Sequence, residues 1–273
     1  GGEAAVNDWR IETGDALRLI PSLEGGAVNL VVTSPPYPGQ MGNGQTVGAW
    51  LEWLTAITAA LLPKLAPAAV VALNVTFKRT DAGWFDTRLF TAVPAILEAA
   101  GLRCHDTYIW HKTNGAQNGP LTYADAPGYE VVYAYTNAER PGNVTFNPQR
   151  KPYAAKSISS GGAARIGYGR TKEPNGDGAR QTNVISLPTH ASDGNRPRAR
   201  GVSFPLELPR RFIRQYTRPG DLVLDFCAGV GTTGRAALEL GRRFIGFELD
   251  AEEAERARQW LAAAPTPLLS VTE

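Results

Sequence analysis

Residues 31–39 of this 273-residue chain read VVTSPPYPG. A run of β-formers stops at Ser34, Pro35, Pro36 and Tyr37. Each proline fixes φ and removes a backbone N–H. The carbonyls of Ser34, Pro35 and Pro36 are therefore expected to stand as free acceptors in a stiff frame. The Ser34 hydroxyl adds another acceptor, and Tyr37 adds a flat aromatic wall. Such a pocket suits a planar ring that carries an exocyclic NH₂. The lone pair of that amine is delocalised into its ring and is a poor nucleophile. Two acceptors that hold its hydrogens out of the ring plane favour an sp³-like nitrogen and expose the lone pair to an electrophile. Help of this kind is positional and electrostatic. Covalent catalysis by Ser34 is not expected, because no His/Asp pair stands in a triad-like context.

A second constellation lies near the other end of the chain. Gly229, Gly231 and Gly234 in AGVGTTG match G-x-G-x-x-G. Alone the pattern is weak. Here it follows an apolar run, opens a helix-like segment and is followed at the next apolar run by Glu248. That context points to an adenosine-bearing ligand, with Glu248 accepting from the ribose hydroxyls. Asp225 ends the preceding run. A carboxylate there would repel a pyrophosphate and attract an amine, which favours the amino-acid half of S-adenosylmethionine over NAD and supplies a sulfonium methyl as the electrophile. A phosphate-binding loop is a near miss, since Arg235 and Ala236 stand where Lys and Ser/Thr are needed.

These residues need a rigid frame. The apolar runs 27–33, 68–75, 221–229 and 242–250 read as buried strands, and 48–62, 85–101, 204–217, 232–241 and 251–264 as helices. The helix at 85–101 is expected to be disturbed at Pro94 and closed by Gly101. Segments 104–112 and 129–136 are β-rich and less regular. Strands alternating with helices imply an α/β fold with a doubly wound, mostly parallel sheet. The pattern fails from 138 to about 202, where Gly, Asn, Pro, Ser and Arg dominate. That insert holds eleven Lys/Arg and four Asp/Glu, a net +7 against +2 for the whole chain, so the rest carries −5. A basic insert beside an acidic body points to a polyanion partner. The division expected is 1–137 for the corner, 138–201 for the insert and 202–273 for the glycine turn.

Bulk properties exclude other classes. Hydrophobic residues make up 43 %, enough for a core, and no apolar run is long enough for a membrane span. No leader pattern is visible. Two cysteines and three histidines at unhelpful spacings argue against a disulfide framework or a metal site. A cytoplasmic, nucleoid-associated protein without a structural metal is expected.

T-S-P-P-Y together with D-F-C-A-G-V-G-T-T resembles the amino-methylating DNA methyltransferases, whose motifs are [DNS]-P-P-[YFW] and D-P-F-x-G-x-G-T-T. The order of corner, insert and cofactor turn resembles the β class. The resemblance implies a circularly ordered S-adenosyl-L-methionine-dependent methyltransferase fold. It also implies a catalytic set of Ser34, Pro35, Pro36 and Tyr37. The cofactor contacts it implies are Asp15, Thr33, Phe204, Pro205, Asp225, Phe226, Cys227, Ala228, Gly229, Gly231, Thr232, Thr233 and Glu248. Phe204 and Pro205 match a motif that flanks the methionine, and residues 109–115 (IWHKTNG) resemble one near the target base. The chain departs from D-P-F, because Phe226 and Cys227 replace Pro and Phe, so the aromatic that packs on the cofactor is shifted by one place.

In this family Ser at the head of the tetrad is associated with N4 of cytosine, and Asp or Asn with N6 of adenine. The implied activity is site-specific methylation of a flipped cytosine in double-stranded DNA, with Tyr37 as a stacking partner, as part of a restriction-modification system. N6-adenine methylation is the nearest alternative. A non-catalytic, S-adenosylmethionine-responsive DNA-binding protein is the alternative of another class, and a nicotinamide or flavin oxidoreductase would leave SPPY and the basic insert unexplained. Lys112, Arg150, Lys151, Lys156, Arg165, Arg170, Lys172, Arg180, Arg196 and Arg198 are candidate DNA contacts. A cognate restriction endonuclease and, by analogy with β-class dimers, a homodimer are the expected partners.

Overall fold

The structure is a computed structural model that describes residues 8–38, 45–76, 78–79, 85–114, 128–151, 179–189 and 203–264. In chain order its elements are β1 (Trp9–Thr13), α1 (Ala16–Leu19), β2 (Val28–Thr33), α2 (Val47–Leu61), β3 (Leu65–Val75), β4 (Lys78–Arg79), β5 (Phe85–Asp86) and α3 (Arg88–Ala99). Then come β6 (Arg103–Lys112), β7 (Tyr129–Thr136), β8 (Arg150–Lys151), β9 (Ala179–Arg180), β10 (Val184–Leu187), α4 (Glu207–Tyr216), β11 (Leu222–Asp225), α5 (Thr232–Glu239), β12 (Arg243–Glu248) and α6 (Ala251–Ala262).

Eight strands form one sheet in the order β1-β12-β11-β2-β3-β7-β6-β10. Within this sheet, among the described residues, only the β3–β7 and β7–β6 pairings are antiparallel, so the reversal is confined to β7. The central strands are apolar throughout because both faces are covered. Leu30 and Val32 of β2 join Val70, Ala72, Phe212, Ile213 and Phe244 on one face. Val31 joins Trp50, Leu54, Ile57, Val71, Leu73 and Val93 on the other. Helices α1–α3 cover the second face and α4–α6 the first. The sheet is thus doubly wound and mostly parallel, as expected.

Helix α3 runs through Pro94 without ending there, and Gly101 follows its end at φ +85°. A proline sacrifices one N–H bond but does not break a helix whose Leu89, Val93 and Leu97 are all buried on the sheet. The expected halves 1–137 and 202–273 interleave: β1 pairs with β12, and β11 lies beside β2. The insert is not wholly irregular. Its β10 extends the sheet along β6, and its β8 and β9 form a two-stranded ribbon. The strand escapes the sequence pattern because it is only four residues long, VISL, with Val184 and Ser186 exposed, inside a tract dominated by polar residues. Among the described residues, no helix is long and apolar enough to cross a membrane, and no cluster of His, Cys, Asp and Glu could hold a metal.

Candidate active site

Strands β2 and β11 are parallel neighbours, so the corner after Thr33 and the turn after Asp225 leave the same edge of the sheet. β11 continues toward β12 and β2 toward β3, on opposite sides, which makes this edge a topological switch point. Thr233 Oγ1 bridges the two segments, donating to Asp225 Oδ2 at 2.6 Å with Val32 O at 3.5 Å.

Beyond β2, the corner is locked from several directions. Trp50 Nε1 of α2 donates to Pro36 O at 2.9 Å. That carbonyl is therefore not the free acceptor expected, because a buried indole N–H requires a partner. Tyr37 is also not an open wall. Its side chain is only 6 % exposed and turns inward. Its hydroxyl meets Ser34 Oγ at 3.1 Å, Asn74 O at 3.2 Å and Glu130 Oε2 at 3.4 Å. Burial first, and then the Glu130 charge, raise its pKa well above the ordinary phenol value, so it remains a protonated donor. Asn74 Nδ2 donates to Glu130 Oε2 at 2.5 Å and lies 3.2 Å from both Ser34 Oγ and Tyr37 OH.

Lys112 was expected on DNA. Instead its ammonium is 2.6 Å from Glu130 Oε1, and both side chains are nearly buried. A buried carboxylate needs a counter-ion, and Lys112 is the cation its strand register supplies. Asn74 and Glu130 did not emerge from motif reasoning. The available signal was a lone amide in AAVVALNV and a lone acid in YEVVYAYT, polar residues inside otherwise apolar strands.

The glycine turn divides its labour. Gly231 sits at φ +87° and caps α5, a conformation that L side chains rarely adopt. Gly229 sits at φ +52° with open space where a Cβ would stand. Gly234 serves packing, since a Cβ there would lie 2.5 Å from the Phe244 ring. Glu248 ends β12 and accepts from Gly229 N at 2.8 Å and Asp250 N at 2.9 Å. Burial raises its pKa. Asp15 lies at the same edge, since Thr13 pairs with Glu248 and Gly14 N donates to Glu248 O at 2.8 Å. Leu249, next to Glu248, is 74 % exposed and was not singled out from sequence.

Asp225 is 2 % exposed. It accepts from Cys227 N at 3.1 Å as well as from Thr233. Burial still dominates and pushes its pKa from 3.8 up to about 6. Phe226, expected at the cofactor, packs into the core instead, edge-on to Trp53 with centroids 6.0 Å apart. Successive residues leaving a strand face opposite ways, so moving the aromatic by one place turns it from the site to the core. Cys227 is half-buried, and burial raises its thiol pKa well above 9.0, so it is kept as the unreactive thiol. Phe204 and Pro205 are buried just before α4, and Ser203 Oγ lies 3.0 Å from Thr232 Oγ1. Thr33, Ala228, Thr232 and Thr233 are buried around the turn.

Fewer of the basic candidates can be placed. The β8–β9 ribbon sets Arg150 opposite Arg180 and Lys151 opposite Ala179 in the backbone, with Arg150 exposed. Lys156, Arg165, Arg170, Lys172, Arg196 and Arg198 lie outside the described residues. The stretch 109–114 is anchored to the insert where Thr189 N and Oγ1 donate to Asn114 Oδ1 at 2.9 and 3.0 Å.

This arrangement has counterparts. A family model described as DNA methylase matches residues 28–259. The chain is 27 % identical over 265 residues to the type II methyltransferase M.BglII of Bacillus subtilis, covering 94 % of this chain and 69 % of that protein. It is 26 % identical to M.SmaI of Serratia marcescens, covering 94 % and 92 %. The solved PvuII DNA methyltransferase (cytosine-N4-specific) superposes with a TM-score of 0.73 at 19 % identity, covering 93 % of this chain and 86 % of that one. TTHA0409 of Thermus thermophilus, solved with S-adenosyl-L-methionine, gives 0.64 at 24 % identity, covering 97 % and 99 %. The match of the family model spans both turns and all the strands between them, and the chain belongs to the DNA methylase family.

Proposed function

We propose that this chain transfers a methyl group from S-adenosyl-L-methionine to N4 of a cytosine flipped out of duplex DNA, as the modification enzyme of a type II restriction-modification system. The observation that carries the reading is adjacency: the Ser34 corner and the glycine turn share one edge of one sheet. When bound, S-adenosyl-L-methionine supplies an electrophilic methyl group on a sulfonium.

The residues at the turn fit that group. Space is open at Gly229, and Glu248 stands beside it as an acceptor for ribose hydroxyls. The exposed Leu249 is available to cover the adenine ring. The α5 N-terminus, capped by Gly231, attracts a carboxylate. Asp225, whose pKa burial raises to about 6, is suited to an ammonium, which would draw that pKa back down. Asp15 beside Glu248, and Phe204 and Pro205 next to the Ser203–Thr232 contact, are the further residues assigned to the cofactor on this reading. The Ser34 hydroxyl and the carbonyls of Ser34 and Pro35 accept from the target amine and orient its lone pair. The amine lies inside the duplex stack until the nucleotide is extruded. The basic insert then grips phosphates, which positions the duplex without specifying sequence.

Cytosine is favoured over adenine by Ser34 at the head of the tetrad and by the printed specificity of the PvuII enzyme. The names of M.BglII and M.SmaI as type II methyltransferases support a restriction-modification role, with a partner endonuclease cutting the same site. The test is transfer of labelled methyl to unmethylated plasmid, followed by long-read sequencing of DNA from expressing cells. N4-methylcytosine in one short context is expected. N6-methyladenine there would replace the cytosine assignment and keep the chemistry. Cofactor binding without any transfer would sink the enzyme reading.

A further inference from the structure

The Glu130–Lys112 pair lies below the catalytic corner, outside the residues that touch the cofactor turn. Its placement follows from register. Asn74 faces Val132 across β3–β7, and Trp110 faces Glu130 across β6–β7. Residues two apart share a face, so Asn74, Glu130 and Lys112 form a diagonal row under Ser34 and Tyr37. Glu130 faces the Lys112 ammonium at 2.6 Å as the carboxylate of an ion pair. The carboxylate of an ion pair only accepts.

That single fact orders the protons of the whole cluster. Asn74 must turn Nδ2 toward Glu130, because the reversed amide would set two acceptors 2.5 Å apart. Its remaining N–H then points at Ser34 Oγ and Tyr37 OH, each 3.2 Å away. The Tyr37 hydroxyl is flanked by two acceptors, Asn74 O and Glu130 Oε2, and donates inward. With its own hydrogen committed, Tyr37 receives the Ser34 hydroxyl across 3.1 Å. Ser34 Oγ is left with a lone pair for the substrate and no hydrogen to offer it.

We infer that Glu130 is a positioning residue: acting through Asn74 and Tyr37, it sets the direction of the hydrogen bonds so that Ser34 faces the target amine as an acceptor. The inference rests on the methyl-transfer reading above. It also accounts for an ion pair kept nearly dry at a desolvation cost.

The test is Glu130→Gln, which keeps the size but brings a donor. Tyr37 keeps Asn74 O as an acceptor, but the Asn74 amide is no longer held with Nδ2 toward Glu130 and Ser34 Oγ, and Ser34 is free to turn its hydrogen toward the amine. Because Lys112 would be left unpaired, the double variant Glu130→Gln/Lys112→Met is made alongside and carries the test if the single variant does not fold. Thermal melting, calorimetric cofactor affinity, KM for DNA and single-turnover methyl transfer are measured on each. Transfer should slow by about 10- to 100-fold with cofactor affinity and KM for DNA unchanged. Glu130→Asp, still an obligate acceptor, should recover part of the rate. A folded glutamine variant with the wild-type rate overturns the inference, and so does equal loss in Glu130→Asp and Glu130→Gln. A wild-type protein that transfers no methyl overturns the functional reading instead.

Discussion

Asp225→Asn should make the protein more stable and its cofactor site worse. The carboxyl is 2 % exposed and its pKa is raised from 3.8 to about 6, chiefly by burial. A carboxyl whose pKa rises on folding holds its proton more tightly folded than unfolded. Its contribution is therefore most favourable below pH 3.8 and is lost as pH climbs through about 6. The gap is about 2 pH units, worth about 1.4 kcal/mol each, so ionised Asp225 costs about 3 kcal/mol at pH 7.5. At pH 5 only about half of that cost has accrued. Asparagine keeps both local bonds, with Oδ1 accepting from Cys227 N and Nδ2 donating to Thr233 Oγ1. Urea denaturation at pH 7.5 should show Asp225→Asn more stable by up to about 3 kcal/mol, and the advantage should shrink to about half at pH 5. Calorimetry at pH 7.5 should show cofactor affinity lowered by about tenfold or more, since the ammonium loses its counter-charge. In the wild type, affinity should weaken as pH falls below about 6. A variant no more stable than wild type at pH 7.5, or an advantage independent of pH, would refute the burial argument.

Other consequences of the geometry can be read separately. Ser34→Ala should lower methyl transfer by about 100-fold or more while calorimetric cofactor affinity stays unchanged; a loss of affinity would mean that the corner belongs to the cofactor and not to the base. Gly234→Ala drives a methyl group toward the Phe244 ring, 2.5 Å from where the Cβ would stand. Urea melts should show a loss of about 1–3 kcal/mol, and an unchanged midpoint would mean that α5 shifts freely against β12. Leu249→Ala should leave stability within about 0.5 kcal/mol and weaken the cofactor, whereas equal cofactor affinity would remove Leu249 from the adenine side of the site.

The two turns were legible because each departs from its local pattern. Two prolines cannot continue a strand, and three glycines at fixed spacing after an apolar run have few structural uses. The apolar runs likewise marked the central strands, since a strand covered on both faces has no polar side to show. The partial failures have equally local causes. β10 is only four residues long, inside a tract dominated by polar residues, so it carries no sustained periodic signal. Lys112 looked like a surface cation because its carboxylate is 18 positions away in the chain. Phe226 looked like a ligand contact because a motif specifies order along the chain and not the direction in which a side chain leaves it.

By itself, the sequence determined the chemistry available at each turn and the alternation of elements that carries it: two donor-less prolines between hydroxyl residues at 34–37, a backbone open to a ligand at 229–234, and a carboxylate at the end of each strand beside that glycine turn. Only the tertiary structure decided that the turns meet. β1 closes on β12, and β11 lies against β2 across nearly two hundred residues of chain. It also decided which acceptors remain free, since Trp50, Asn74, Glu130 and Lys112 reach the corner from four separate elements. The physical reason is that hydrogen-bond and charge partners are chosen by strand register and helix docking, and these bring together residues whose spacing along the chain carries no trace of their contact.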